Sequence, residues 1–206
     1  MKIILISDTH NQHEKLTLPE GDMIIHAGDV SGGGSHVEVL SFLYWFARLP
    51  FKYKIFIAGN HDFLLERKMI TESDFPDGVT YLKNSMVEIE DLRIYGSPYT
   101  PKFSNWAFMK KRGEDMRNVW TLIPRNVDIL VTHGPPFMIL DQTAHGAYIG
   151  CEGLLNRVKE LKPKVHVLGH VHEGYGIKEE FGVNFINASV LNENYRLINE
   201  PIVIGI

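Results

Sequence analysis

The sequence predicts an α/β protein, and three observations carry that expectation. Short β-branched apolar runs recur without clean polar alternation, which is the pattern of strands buried on both faces. Helical patterns separate them, and each run is followed closely by Gly, Asp, Asn or His. The strand signals are Ile3 to Ile6, Met23 to Ile25, Ile55 to Ala58, Ile129 to Val131 and Val165 to Leu168. Ser35 followed by Glu38 reads as a capping box that opens a buried helix to about Leu49, where Pro50 stops it. Alternation over Met86 to Glu90 and Leu92 to Gly96 predicts an antiparallel hairpin. Helices follow from Glu114 to Leu122 and from Glu152 to Leu161, stopped by Pro124 and Pro163. Later strands are expected within Gly176 to Ala188 and over Ile202 to Ile206. Gly96 to Gly113 is the longest stretch without a clear element, and long loops in compact domains are often functional.

At 206 residues the chain suits a single domain, 1–206, able to bury about 70% of its unfolded surface. Its 44% hydrophobic and 22% charged content argues against disorder and low complexity. A lone cysteine, Cys151, excludes an intrachain disulfide and a Cys-built zinc site and suits a reducing compartment. The apolar run before Ser7 and Asp8 is too short for a secretory h-region, so a cytoplasmic location is expected. The best candidate for a membrane span, Phe42 to Ala47, falls far below the ~20 residues a bilayer needs. A net charge of −4, with Lys110-Lys111-Arg112 as the longest basic run, gives no footprint for duplex nucleic acid.

The chain holds 10 histidines, and the chemistry gathers around them. Asp8 and His10 follow the first strand signal, and one intervening residue lets both face the same way in extended backbone. Gly28-Asp29 follows the second, Gly59-Asn60-His61-Asp62 the third, Thr132-His133-Gly134 a later one and Gly169-His170-Val171-His172 the next. Ligands of open α/β sheets collect at the carboxyl ends of the strands, so these clusters should converge. Each alone is weak, because a histidine near a strand end is commonly a packed or surface residue. Their joint occurrence, in order and always after an apolar strand, is hard to explain by turn chemistry. Asp8, His10, Asp29, Asn60, His133, His170 and His172 are too many donors for one ion. They suit two divalent ions about 3.5 to 4 Å apart, sharing a carboxylate, with Mn²⁺ favoured and Fe or Zn²⁺ compatible.

These motifs resemble the full signature of the calcineurin-like metallophosphoesterases, over nearly the whole chain. Gly96-Ser97-Pro98-Tyr99-Thr100-Pro101, His133-Gly134-Pro135-Pro136 and Gly169 through Gly176 resemble, more narrowly, the metallophosphoesterase-domain (MPPED-type) branch. The resemblance implies a four-layer sandwich, two mixed β-sheets flanked by helices, with the site on strand-end loops. It implies that Asp8, His10 and His172 hold one metal and Asn60, His133 and His170 the other, with Asp29 bridging. His61 is then the general acid, and a metal-bridging hydroxide is the nucleophile. Phosphoprotein phosphatases of this superfamily extend Gly-Asp into a segment with an Asp-Arg pair, whereas here Val30-Ser31-Gly32-Gly33-Gly34 follows. That departure argues against a protein phosphatase and leaves open what orients His61. The glycines suit either a mobile flap or a flexible entry to the Ser35 helix.

Asn11, His13 and Arg112 are candidate substrate contacts. Tyr99, Phe103 and Trp106 suit either a wall for a nucleobase or an anchor for their loop. Cys151 is a candidate neighbour of the pocket, and His26, His36, His145 and His166 read as structural. The expected activity is a dinuclear metal-dependent phosphodiesterase on small diesters such as cyclic nucleotides. The competing readings are a phosphomonoesterase and a non-catalytic scaffold or binding protein on the same fold, like the retromer subunit with its incomplete ligand set. A nuclease for long chains is disfavoured by the missing basic stripe.

Overall fold

A computed structural model describes all 206 residues. Its two principal sheets stack with a helical layer on each outer face. The first sheet has the order β13-β1-β2-β3-β4, with β1 Lys2–Ile6, β2 Met23–His26, β3 Tyr53–Phe56, β4 Val79–Tyr81 and β13 Ile202–Gly205. The second runs β11-β12-β10-β9-β6-β5, with β5 Ser85–Ile89, β6 Leu92–Ser97, β9 Ile129–Thr132, β10 Val165–Leu168, β11 Gly176–Glu180 and β12 Val183–Asn187. Strands β1 to β4 are parallel, as are β6, β9, β10 and β12, while β13, β11 and β5 pair antiparallel at the edges.

Why the apolar runs lack alternation is visible in which residues meet. Ile3, Leu5, Met23 and Ile25 face across to Ile129, Val131, Val165 and Val167 in the core between the sheets. The intervening residues Ile4, Ile6 and Ile24 face the other way, onto Val39, Phe42, Leu43 and Phe46 of α1 (His36–Arg48). On the far side Leu130, Leu168 and Phe185 meet Met116 and Trp120 of α3 (Glu114–Thr121) and Leu154 and Val158 of α4 (Glu152–Leu161). Both faces of each central strand are dry, so most positions are apolar, and the polar exceptions His26 and His166 are hydrogen-bonded to Thr9 and Thr132. The four-layer sandwich of two mixed sheets is therefore the fold, as expected.

Element boundaries follow the sequence signals closely. The capping box is formed, with Glu38 N–H donating to Ser35 Oγ at 3.3 Å and Ser35 N–H to the Glu38 carboxylate at 2.9 Å. The third strand ends earlier than its apolar run, at Phe56, because Ile57 and Ala58 leave the ladder and lead into the site loop. The hydrogen bond from Ile57 N–H to the His26 carbonyl (3.1 Å) still ties that segment to β2. Two short elements carried no readable signal: β4, and α2 (Phe63–Glu66). The long loop is also more ordered than its composition suggests. It contains the two-residue strands β7 (Thr100–Pro101) and β8 (Met109–Lys110), which pair with each other. No helix is long and apolar enough to cross a membrane.

Candidate metal centre

The carboxyl ends of β1, β2, β3, β9 and β10 open onto one seam between the two sheets, where Ser7 and Ser189 bridge in parallel. The expected residues converge there. Asp8, His10 and His172 present ligand atoms within 4.8 Å of one another, as do Asp29, His133 and His170, and as do His10, Asp29 and His61. Asp29 is the hinge between the groups, since its Oδ2 lies 3.7 Å from His10 Nε2 and 3.2 Å from His133 Nε2. The Asn60 amide oxygen lies 3.0 Å from the same His133 nitrogen, and Asp8 Oδ1 lies 3.6 Å from His172 Nε2.

Three imidazoles are oriented by the main chain. Their Nδ1 atoms lie 3.2, 2.9 and 2.9 Å from the carbonyls of Ser31, Ala27 and Asn192, for His10, His133 and His172 respectively. A carbonyl only accepts, so each Nδ1 carries the proton and each Nε2 is directed at the carboxylates. His10 Nε2 is buried and makes no hydrogen bond. A buried nitrogen lone pair aimed at buried carboxylates is costly unless a cation lies between them, so these oxygen and nitrogen donors fit divalent metal.

The protein groups also perturb each other strongly. Burial raises the Asp29 carboxyl, but the charge and hydrogen bond of His133, with the charges of His10 and His61, together outweigh it and hold Asp29 well below the ordinary carboxylate range. Burial likewise lowers His133, yet the charge and hydrogen bond of Asp29, joined by the Asp8 charge and the Ala27 carbonyl, together raise it to about 9. His172 reaches about 9 against Asp8 by the same opposition. His170, with burial dominant, falls to about 3 and stays neutral.

The loops approach so closely that side chains would not fit between them. A Cβ on Gly59 would strike the Asp29 carboxylate and lie 2.7 Å from the His133 ring, while one on Gly169 would collide with Ser7 Oγ and Asp8 Oδ2. Asp62 fastens two of these loops together. Its buried carboxylate accepts from the N–H groups of Gly59 (2.7 Å) and Ser31 (3.0 Å) and from Ser31 Oγ (2.7 Å). Burial raises its carboxyl to about 6, helped by the charge of Asp29.

The seam opens through a cleft of about 160 Å³. His10, Asp29, Asn60, His61, His170 and His172 line it, with Phe103, Trp106 and Tyr195 as aromatic walls. His61 is half-buried, and its Nδ1 donates to the Gly32 carbonyl at 2.6 Å. The glycine segment thus supplies a main-chain acceptor for the imidazole, in a place where the sequence offers no carboxylate. Tyr195 was not foreseen, though its ring lies 5.0 Å from His10 and 5.2 Å from His172. It reaches the site from a turn remote in sequence, with no motif to mark it.

Several expected contacts lie elsewhere. His13 is buried against Phe42 and Trp45 of α1, with Nε2 3.2 Å from Ser41 Oγ, and burial lowers it to about 4. It is packed against α1 and does not line the cleft. Arg112 is committed to the carbonyls of Gly150 (2.7 Å) and Ile149 (2.6 Å) and to Glu152 (2.9 Å), and does not line the cleft. Asn11 is exposed beside His10 but also outside the lining. Tyr99 packs on Phe108, so of the three loop aromatics only Phe103 and Trp106 reach the site. Cys151 is buried under Trp120, whose Nε1 donates to its sulfur at 3.3 Å. His26 and His166 are buried and bonded to Thr9 (3.0 Å) and Thr132 (2.8 Å), in keeping with structural roles, whereas His36 and His145 are exposed.

A four-layer α/β sandwich with histidine, aspartate and asparagine donors gathered at its strand ends has the form of a metal-dependent phosphoester hydrolase. The chain belongs to the calcineurin-like phosphoesterase family, whose model matches residues 1–174. It is 38% identical over 230 residues to metallophosphoesterase domain-containing protein 1 of Homo sapiens, covering 100% of this chain and 71% of that protein. The Mus musculus protein of the same name matches equally well. Among solved structures, phosphopantetheinyl hydrolase from Mycobacterium tuberculosis shares the fold, with a TM-score of 0.62 at 16% identity over 94% of this chain and 90% of that one. Family membership and the ligand clusters support a metal-dependent phosphoesterase with a dinuclear divalent centre.

The placement of Arg112 and His13 yields a test. Arg112→Gln is expected to leave KM for bis-p-nitrophenyl phosphate unchanged, and His13→Phe to behave likewise, because neither side chain lines the cleft. A KM raised by either variant, with unchanged unfolding midpoint, would restore it as a substrate contact.

Proposed function

We propose that the protein is a dinuclear metal-dependent phosphodiesterase acting on small diesters, cyclic nucleotides among them. The observation that carries this reading is that Asp29, buried, shares ligand-distance clusters with His133 and His170 on one side and with His10 and His61 on the other, while His10 also clusters with Asp8 and His172. Asp8, His10 and His172 would hold one ion, and Asn60, His133 and His170 the other, with Asp29 shared. When bound, such a pair of ions supplies Lewis-acid charge and makes water a nucleophile near neutral pH.

The remaining chemistry belongs to the chain. His61 keeps Nδ1 on the Gly32 carbonyl, which leaves Nε2 for the leaving group. An imidazolium there protonates the departing alkoxide, a contribution of about 10²- to 10⁴-fold. The preference for diesters rests on charge. A monoester carries one more negative charge, commonly met by the fork of an arginine, and no Arg or Lys lines this cleft. The cleft of about 160 Å³ also favours small substrates over chains.

Three outcomes test the reading. Asp29→Asn is expected to weaken both ions, whereas His172→Ala should loosen only the first and His133→Ala only the second. Elemental analysis and calorimetry with Mn²⁺ would show this, and a saturation of one ion per parent chain would overturn the dinuclear centre. His61→Ala should retain both ions and lose more turnover on poor leaving groups than on nitrophenyl esters. Bis-p-nitrophenyl phosphate should be hydrolysed with higher kcat/KM than p-nitrophenyl phosphate under the same metal and pH. The reverse order would favour a phosphomonoesterase, and no turnover of either by the doubly loaded protein would favour a binding role.

A further inference from the structure

We propose that Trp106 is a positioning residue for His61, fixing the plane of the imidazole so that Nε2 faces the leaving oxygen; the inference rests on reading His61 as the general acid. As the P–O bond to the leaving group breaks, its electron pair stays on that oxygen. The oxygen takes the Nε2 proton and departs as the alcohol, hydroxide derived from water makes the new P–O bond, and the proton that water gave up passes to solvent, from which His61 is reprotonated.

One hydrogen bond is not enough to hold the acid. The His61 side chain has a single hydrogen-bond partner, the Gly32 carbonyl. Histidine χ2 is a broad, soft torsion, so an imidazole tethered at Nδ1 alone can still turn its ring. Ring contacts remove that freedom. The Trp106 indole lies 4.3 Å from the His61 ring, centroid to centroid, at an interplanar angle of 30°, while His10 meets the ring edge-on at 4.5 Å and 81°.

Trp106 is well placed to impose an orientation, because its own backbone neighbours are fixed. Ala107 and Phe108 are fully buried; the Ala107 N–H donates to the Asn60 carbonyl at 2.9 Å and the Phe108 N–H to the Glu66 carboxylate at 2.7 Å. These residues anchor the loop. Trp106 itself is 37% exposed and makes no hydrogen bond through its indole nitrogen, so it is a poor loop anchor and a good wall. The Phe63 ring, 5.9 Å away on the residue after Asp62, supports it from the side.

The experiment uses Zn²⁺-loaded protein, which is diamagnetic, and a series of aryl phosphodiesters whose leaving phenols span a range of pKa. Trp106→Leu is expected to keep two Zn²⁺ per chain and to lose about 10-fold more turnover at the poor-leaving-group end than at the nitrophenyl end, within the range of general-acid effects. Trp106→Phe should restore most of the difference. In the NMR spectrum the His61 Cε1–H resonance should move in Trp106→Leu, as the indole ring current is removed. Trp106→Gln serves as the second truncation should the leucine variant fold poorly. Equal losses across the series in both truncations, or an unmoved His61 resonance, would overturn the role of Trp106. A His61→Ala control that leaves the series unsteepened would overturn the acid reading and this proposal with it. A steepened control beside an unsteepened Trp106→Leu would overturn the role of Trp106 alone.

Discussion

The buried carboxylate of Asp29 is the constraint on which the rest of the site depends. Its Oδ1 accepts the His61 N–H at 2.8 Å, and its Oδ2 faces the Nε2 atoms of His10 and His133. An isolated carboxylate at this depth would be far too costly to ionise. The surrounding chain is arranged to make the ionised form the favoured one. The absence of any side chain at Gly59 follows from the same demand, because a Cβ there would meet the carboxylate. So does the strap formed by Asp62, which joins the Ser31 segment to the Gly59 segment and keeps the two walls of the Asp29 pocket at a fixed distance.

The sandwich explains how residues far apart in sequence come to share so small a volume. Parallel strands in both sheets end at the same seam, so each loop that leaves a carboxyl end contributes to it. Between the sheets the core is apolar, with Ile25, Ile55, Val131 and Val167 in the shared cluster. Most buried polar groups thereby gather at the strand ends, with His166 inside β10 satisfied by Thr132. Where they gather, cross-strand backbone hydrogen bonds continue beyond the ladders: Asp8 N–H to the Gly28 carbonyl (2.9 Å), Gly169 N–H to the His133 carbonyl (3.0 Å) and Val190 N–H to the Ser7 carbonyl (3.0 Å). The ligands thus stand on extensions of the rigid sheets rather than on free loops.

How much of this was legible in the sequence depended on whether the cause was local. The runs around Ile3, Ile24 and Val167 betrayed dry strands because each residue's own character reports burial, and Ser35 with Glu38 announced a helix start for the same reason. The ligand residues were legible because every one follows such a run. Tyr195 was not, since its approach to His10 is made by tertiary folding that no nearby residue encodes. His13 stands two residues from Asn11 in sequence, yet one turn of 3₁₀ helix carries its ring into the face of α1, a placement that no local pattern announces. Arg112 belongs to a basic run with no sequence partner, and its carbonyl acceptors at Ile149 and Gly150 are brought near only by the folded chain. The acceptor for His61 was hidden too, because a main-chain carbonyl has no residue identity to read.

Backbone conformation shows what this assembly costs locally. Asp8, His10, Asn11, Asp29 and His170 all have positive φ, between 39° and 68°, a region few residues other than glycine adopt. Asn, Asp and His tolerate it best, yet each such residue still carries strain of about 1 to 3 kcal/mol. Four of the five are proposed ligands, which argues that the turns are bent to return the side chain over the strand end it has just left. An extended continuation would carry His10 and Asp29 past the seam. The main chain at these turns is held by paired bonds between loops, His10 N–H to the Asp29 carbonyl (3.1 Å) and Asn11 N–H to the Val30 carbonyl (3.1 Å). Strain in one loop is therefore balanced by its neighbour, and the neighbour is itself clamped by Asp62. A substitution that changes the backbone of one turn removes the hydrogen-bond partner of the next, so the turns stand or fall together, whereas truncating a single ligand ring leaves these main-chain bonds in place.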